Sequence, residues 1–307
     1  MRRIHRRELL GKSALVAASR LAGLAGLARP RHALAIPPIP RSRPSHLKLS
    51  IAAYSFRDLL TANPPRMNLF DFVELAADLR LDAVEPTSYY FPADVSTSDL
   101  HHLKRHAFLL GLEISGTAIG NNFCLPPGPR RDQELALTRT WIDRAVELGA
   151  PVIRIFAGSA PPGVKEAQAV DWAIEGIQES LAYAARRGIL LALENHGGVT
   201  ATPAQILRIV QAIESPDFGV NLDTGNFHGA DPYAEIAELA PYAINVQVKT
   251  EIRRSGSAVK EEADLGLILQ ILRAARYSGY VVLEYEAAED PLKAIPGHIQ
   301  RLRELIG

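Results

Sequence analysis

From Leu47 onward the chain alternates two hydrophobic patterns. Short aliphatic and β-branched runs occupy residues 48–54, 81–85, 112–117, 151–157, 189–195, 218–223, 243–249 and 280–286. Between them apolar residues recur at helical spacing, as over 69–80, 132–148, 167–187 and 265–277. The first pattern predicts buried strands and the second amphipathic helices. Gly111, Gly149, Gly188 and Gly279 stand just before strands, where glycines that end helices belong. Strict β–α alternation predicts an α/β fold with a parallel sheet. Eight such units in the 272 residues after Ala35 match a (β/α)8 TIM barrel of about 250 residues. The alternative, a doubly wound sheet, normally carries a Gly-rich phosphate loop after an early strand, and this chain has none.

The faces of the strands sharpen this picture. Side chains alternate across a strand. The seventh candidate puts Ile244, Val246 and Val248 on one face and Asn245, Gln247 and Lys249 on the other. The sixth opposes Val220 and Leu222 to Asn221 and Asp223. The eighth groups Glu284 and Glu286 with Val282, and the fourth sets Arg154 between Val152 and Phe156. In a barrel the apolar face meets the helices and the polar face points inward. Buried polar groups are costly unless they pair or bind something. These lie at the C-terminal strand ends, where such barrels keep their catalytic residues.

Composition adds limits. The 307 residues are 47% hydrophobic and 22% charged, which suits a large folded core. The formal charge of +0 conceals an asymmetry. Up to Ala35 there are eight basic residues and one acid, leaving 26 basic against 33 acidic residues, a net −7. A body of that sign is a poor partner for nucleic acid. The lone Cys124 excludes an internal disulfide and a cysteine-based zinc site, and no run reaches the ~18 apolar residues of a membrane span.

Residues 1–35 read as an address label: a basic start, an Ala/Leu/Gly run over 13–28, and Ala33-Leu34-Ala35 as an A-x-A cleavage site. Arg6-Arg7-Glu8-Leu9-Leu10-Gly11-Lys12 resembles the twin-arginine motif. His5, where Ser or Thr is usual, and Arg20, inside the apolar run, depart from it; the plainer alternative is a frayed amphipathic helix. The motif implies the twin-arginine export machinery as a partner and a periplasmic destination for a folded protein. Residues 36–46 form a Pro-rich linker before the barrel at 47–307.

Four oxygen-bearing residues end four consecutive strands: Glu194, Asp223, Gln247 and Glu284. Three carboxylates at one mouth repel each other in a low dielectric, and a divalent cation resolves the repulsion. An all-oxygen set favours Mg2+ or Mn2+ over Zn2+. Taken singly, each acid also fits an ordinary loop end, solvated or paired with Arg154, Lys249 or Arg253.

The segments Leu193-Glu194-Asn195-His196-Gly197-Gly198, Leu222-Asp223-Thr224-Gly225-Asn226, Asn245-Val246-Gln247-Val248-Lys249 and Leu283-Glu284-Tyr285-Glu286 resemble the sugar phosphate isomerase/epimerase family. This is the xylose isomerase-like TIM-barrel group, which includes ketose 3-epimerases, inosose dehydratases and endonuclease IV-type repair enzymes. The resemblance runs from about Leu47 to the end. It implies metal ligands at Glu194, Asp223, Gln247 and Glu284, acid/base roles for Glu194 and Glu284, and substrate contacts at His196 and Arg253. Gln247 departs from the family's histidine ligand, and Asn226 stands where relatives often carry histidine. Asn226, Lys249, Glu85 and Arg154 complete the candidate substrate-binding set; Lys249 shares a face with Gln247, and Glu85 ends the second strand, facing a pairing with Arg154. Tyr54, Phe56, Tyr89, Tyr90 and Phe123 follow the first three strands and either stack on a sugar or form a lid. Glu286 shares the face of Glu284, and His228 reads as a loop residue.

The expected function is a metal-dependent sugar isomerase or epimerase that transfers a proton next to a carbonyl. Departure of a hydroxyl instead makes it a dehydratase, and loss of strong metal binding at Gln247 makes it a non-catalytic sugar-binding barrel. Export favours an unphosphorylated sugar or keto-sugar. A repair nuclease needs a His-rich multi-metal centre, and only His196 and His228 lie near the fifth to eighth strands.

Overall fold

The computed structural model describes residues 37–307; the export segment expected over 1–35 lies outside the described residues. The strands are β1 (Leu47–Ala52), β2 (Ala83–Glu85), β3 (Glu113–Ile114), β4 (Thr117–Ala118), β5 (Val152–Ile155), β6 (Leu190–Glu194), β7 (Phe218–Asp223), β8 (Ala243–Val248), β9 (Glu251–Ile252), β10 (Glu261–Glu262) and β11 (Gly279–Leu283). The helices are α1 (Arg57–Leu60), α2 (Leu69–Asp78), α3 (Thr97–Leu109), α4 (Pro129–Leu148), α5 (Glu166–Ala184), α6 (Pro203–Gln211), α7 (Pro232–Leu239), α8 (Leu265–Ala274) and α9 (Pro291–Ile306).

Nine strands pair in parallel in the order β3-β2-β1-β11-β8-β7-β6-β5-β4, a nearly closed barrel. That circular order excludes the doubly wound sheet. The third expected strand is split: β3 pairs with β2 and β4 with β5, and the chain breaks between them at Ser115 and Gly116. There the Ser115 hydroxyl donates to Val84 O at 3.1 Å and meets the Ser50 hydroxyl at 2.8 Å. Such local side-chain bonds compete with a regular ladder.

Helix starts follow local chemistry. Asn68, Ser96 and Thr202 make capping boxes before α2, α3 and α6, and proline opens α4, α6, α7 and α9, where a missing N–H costs nothing. Gly149 and Gly188 end their helices in the left-handed region. Gly279 does not. It opens β11, and the left-handed residue after α8 is Arg276, because that helix stops at Ala274.

Leu49, Ile51, Val84, Ile153, Leu191, Val220, Val246 and Val281 face outward into one apolar core with Phe72, Leu103, Ile142, Ile177, Ile206, Ile268 and Ile299 of the helices. Each such side chain removed from water stabilises the fold by roughly 1.5–3 kcal/mol. The opposite strand faces stay inside the barrel and carry its polar groups. Residues 37–46 form neither helix nor strand. They lie along the N-terminal end of the barrel: Ile39 N donates to Pro241 O at 3.1 Å, His46 N to Ser278 Oγ at 3.0 Å, and the Arg41 guanidinium sits 5.5 Å from the Tyr277 ring. Beyond β8, β9 and β10 form an antiparallel ribbon that the sequence pattern does not announce.

Candidate active site

The barrel interior is built in polar tiers. Deep inside, β2, β7 and β8 contribute a closed ring of four side chains. Asn245 Nδ2 donates to Glu85 Oε2 and to Asn221 Oδ1, both at 2.8 Å. Asn221 Nδ2 donates to Gln247 Oε1 at 2.6 Å, and Gln247 Nε2 donates to Glu85 Oε1 at 2.7 Å. Burial pushes the Glu85 carboxyl up to about 7, against the opposing bonds from Asn245 and Gln247. Glu85 therefore answers to two amides rather than to Arg154, the partner expected from sequence.

Arg154, on β5, instead pairs with Glu194 at the end of β6, Nε to Oε2 at 2.8 Å. Its Nη1 donates to Ile119 O at 2.7 Å, and its guanidinium lies 4.0 Å from the Phe156 ring centroid. The other oxygen of Glu194 meets His196 Nδ1 at 2.8 Å and accepts from Asn226 Nδ2 at 3.0 Å. Burial pushes the Glu194 carboxyl up, but Arg154 and then His196 outweigh it and leave it below the ordinary carboxylate range. The His196 ring packs on Phe156, centroids 4.2 Å apart, with 54% of its side chain exposed. Glu194 is thus an anchored anion and His196 its exposed extension.

Lys249, just after β8, is the second internal cation. Its Nζ lies 3.1 Å from Asp223 Oδ2, 2.8 Å from Glu284 Oε2 and 2.6 Å from Glu286 Oε1. Burial works against the ammonium, but these three carboxylates overcome it and hold Lys249 charged, well above the usual lysine range. Burial also pushes the Asp223 carboxyl up, with Lys249 opposing. Asp223 is fixed further by Gly225 N on Oδ1 at 2.8 Å. Asn195 clamps its backbone, donating to Asp223 O at 2.8 Å and accepting from Asp223 N at 2.9 Å.

The four expected ligands thus share one end of the barrel but are divided between two cations, Glu194 with Arg154 and Asp223 and Glu284 with Lys249. Gln247 Oε1 is turned to Asn221. The donor set does not fit a divalent ion. Such an ion needs oxygens at about 2.0–2.6 Å, and the ammonium already stands between Asp223 and Glu284. Among the described residues no group of three or more His, Cys, Asp or Glu side chains is arranged to hold a metal.

Around this centre the rim is open. A cavity of about 180 Å3 is lined by Asn226, His228, Lys249, Arg253, Lys260 and Glu286, among others. Arg253 is carried there by β9–β10 and is exposed, as is His228. Of the five aromatics, Phe56 and Phe123 are fully buried core residues. Tyr54 and Tyr89 meet edge to face at 6.4 Å, and Tyr89 also bonds through its hydroxyl to Arg154 at 3.3 Å. Asn195 and the Phe156 stack had no counterpart in the sequence reading. Asn195 was visible only as a polar residue following a strand-end glutamate, a weak signal.

The profile of the xylose isomerase-like TIM barrel family matches residues 73–305. No curated protein matches the sequence. Among solved structures, a xylose isomerase domain protein from Planctomyces limnophilus superposes with TM-score 0.67 at 17% identity, covering 86% of this chain and 98% of that one. D-psicose 3-epimerase from Clostridium cellulolyticum H10 superposes with TM-score 0.65 at 16% identity, over 82% and 89%. The 3-keto-D-glucoside 4-epimerase of E. coli gives 0.66 at 17%, over 85% and 99%. At such identities the superpositions show a shared fold. The family match, which spans most of the barrel, shows that this chain belongs to the xylose isomerase-like TIM barrel family.

Proposed function

We propose that the protein is a sugar isomerase or epimerase that moves a proton next to a carbonyl of an unphosphorylated sugar or keto-sugar. The observation that carries this reading is the pair of strand-end carboxylates Glu194 and Glu284, each buried and each beside its own cation. Sugar epimerases among the fold's relatives support it. When a C–H proton leaves, negative charge grows on the neighbouring carbonyl oxygen, and preorganised N–H donors stabilise it. Lys249 and Arg154 are such donors, already oriented by their partners. Glu284 takes the proton. Glu194 stays an anion and acts through His196, whose exposed ring can return a proton from another side. Return to the same carbon on the opposite face gives an epimer; return to the adjacent carbon gives the isomer.

The test is turnover of a panel of unphosphorylated keto-sugars in heavy water, followed by proton NMR. Deuterium should enter the carbon next to the carbonyl. Glu284→Gln keeps the shape but removes the base, and the rate should fall about 10²–10⁴-fold with unchanged near-UV circular dichroism. Products lacking a hydroxyl assign the dehydratase instead. Binding of a sugar with neither turnover nor exchange assigns a non-catalytic barrel. We also propose that the folded protein is exported by the twin-arginine route, on the strength of Arg6-Arg7 and the apolar run behind them.

A further inference from the structure

We propose that the ammonium of Lys249 takes the place of a divalent cation in this barrel, so that the site works without metal. Three independent features of the mouth carry this. First, Lys249 Nζ stands within ion-pair reach of Asp223, Glu284 and Glu286, at 3.1, 2.8 and 2.6 Å, and donates a hydrogen bond to Glu286 Oε1, while Asp223 Oδ2 is paired with it by charge alone. An ion bridging the same oxygens of Asp223 and Glu284 would have to stand where that nitrogen stands, or push a like charge out of a buried position. Second, the remaining donors are spent. Arg154 covers Glu194 Oε2, while His196 and Asn226 cover Oε1. Third, Gln247 is locked in the wrong sense for a ligand. Its nitrogen points to Glu85, which accepts from it, and its oxygen to Asn221, which donates to it. Turning the amide over would set donor against donor at Asn221.

The substitution alters what the site can offer. A divalent ion brings two charges and open coordination positions; an ammonium brings one charge and three N–H donors, here with three carboxylates in reach and a hydrogen bond to Glu286. Glu286 is the most exposed of those partners, 31% of its side chain against 0% for Asp223 and 7% for Glu284. It lines the rim cavity together with Lys249. A substrate oxygen entering that cavity therefore meets Lys249 by displacing Glu286, while Asp223 and Glu284 keep the ammonium in place. This last step rests on the sugar reading; the exclusion of metal does not.

The experiment is a Mn2+ titration of the metal-stripped full chain, read by electron paramagnetic resonance and by thermal unfolding, on wild type and on the double variant Lys249→Met, Gln247→His. No sugar is needed, so the result stands whether or not the isomerase reading does. Wild type should leave Mn2+ free in solution and show no Mn2+-dependent rise in Tm. The double variant removes the internal cation and supplies an imidazole, and should bind one Mn2+ per chain with a rise in Tm. Should the double variant not fold, the wild-type titration alone decides. One Mn2+ bound per wild-type chain, and lost in Asp223→Asn, overturns the proposal. Where a turned-over sugar is found, chelator should leave the wild-type rate unchanged; a chelator-sensitive rate restored by added Mn2+ also overturns it.

Discussion

Arg154 and Glu194 are buried together at 2.8 Å; Glu194 also meets the exposed His196 ring at 2.8 Å, whereas among the described residues Arg154 pairs with no other carboxylate. Breaking a buried pair by removing one partner leaves an uncompensated charge and typically costs about 3–5 kcal/mol. Arg154→Met should therefore lower the unfolding free energy by that order in urea titrations; a loss under about 1 kcal/mol would show that Asn226 and His196 suffice for Glu194. Glu85 presents the opposite case. Its carboxyl rises from 4.5 to about 7 on burial, so the folded chain binds that proton more tightly than the unfolded chain does. The protonated form favours folding below about 4.5, and this advantage is lost as pH rises to about 7. Wild type should accordingly gain up to about 3 kcal/mol relative to Glu85→Gln on going from neutral to acid pH. Equal pH profiles for the two would show that the amide ring keeps Glu85 ionised. The inward direction of Arg154, Glu85 and Lys249 is legible from the two-residue period of their strands. Their partners are not, because each partner comes from another strand and pairing depends on depth inside the barrel.

The loop that follows β6 shows what an element adds. It carries Asn195 and His196, just past the strand-end Glu194, and then turns through two glycines. Gly198 has φ +53, and a Cβ there would lie 2.3 Å from Gly158 O and 2.5 Å from Ser159 Oγ. The carbonyl of Gly158 already accepts from Val199 N at 3.2 Å, so the two loops pack backbone to backbone. Gly198→Ala should cost about 1–3 kcal/mol through strain and overpacking. It should also swing His196 off Glu194, seen as changed ring chemical shifts of His196 by NMR. Unchanged His196 ring shifts with lowered stability would leave the loop a merely structural support. Strand and helix identities were readable from periodicity, whereas the break between β3 and β4 and the β9–β10 ribbon were not. The first turns on a serine hydroxyl reaching carbonyl and hydroxyl groups of neighbouring strands; the second is two residues to a side and leaves no period.

For the whole molecule, charge and order along the chain carry the remaining prediction. The residues after Ala35 carry a net −7, a poor sign for nucleic-acid binding, and the export proposed above rests on the basic segment ahead of them. Replacing Arg6 and Arg7 with lysine should hold precursor in the cytoplasm, measured by fractionation; unchanged export would remove the twin-arginine reading. Among the described residues no helix is long and apolar enough to cross a membrane. The number of βα units, their parallel pairing and the end of the barrel where polar residues gather were determined by the sequence alone. They follow from periodicity and strand length, which are local. Which groups the four strand-end oxygens face was decided only by tertiary structure. Glu194, Asp223, Gln247 and Glu284 are spread over some ninety residues of chain. What they face depends on the depth and register at which β5, β6, β7, β8 and β11 close the ring, and that closure brings Lys249 and Arg154 among them.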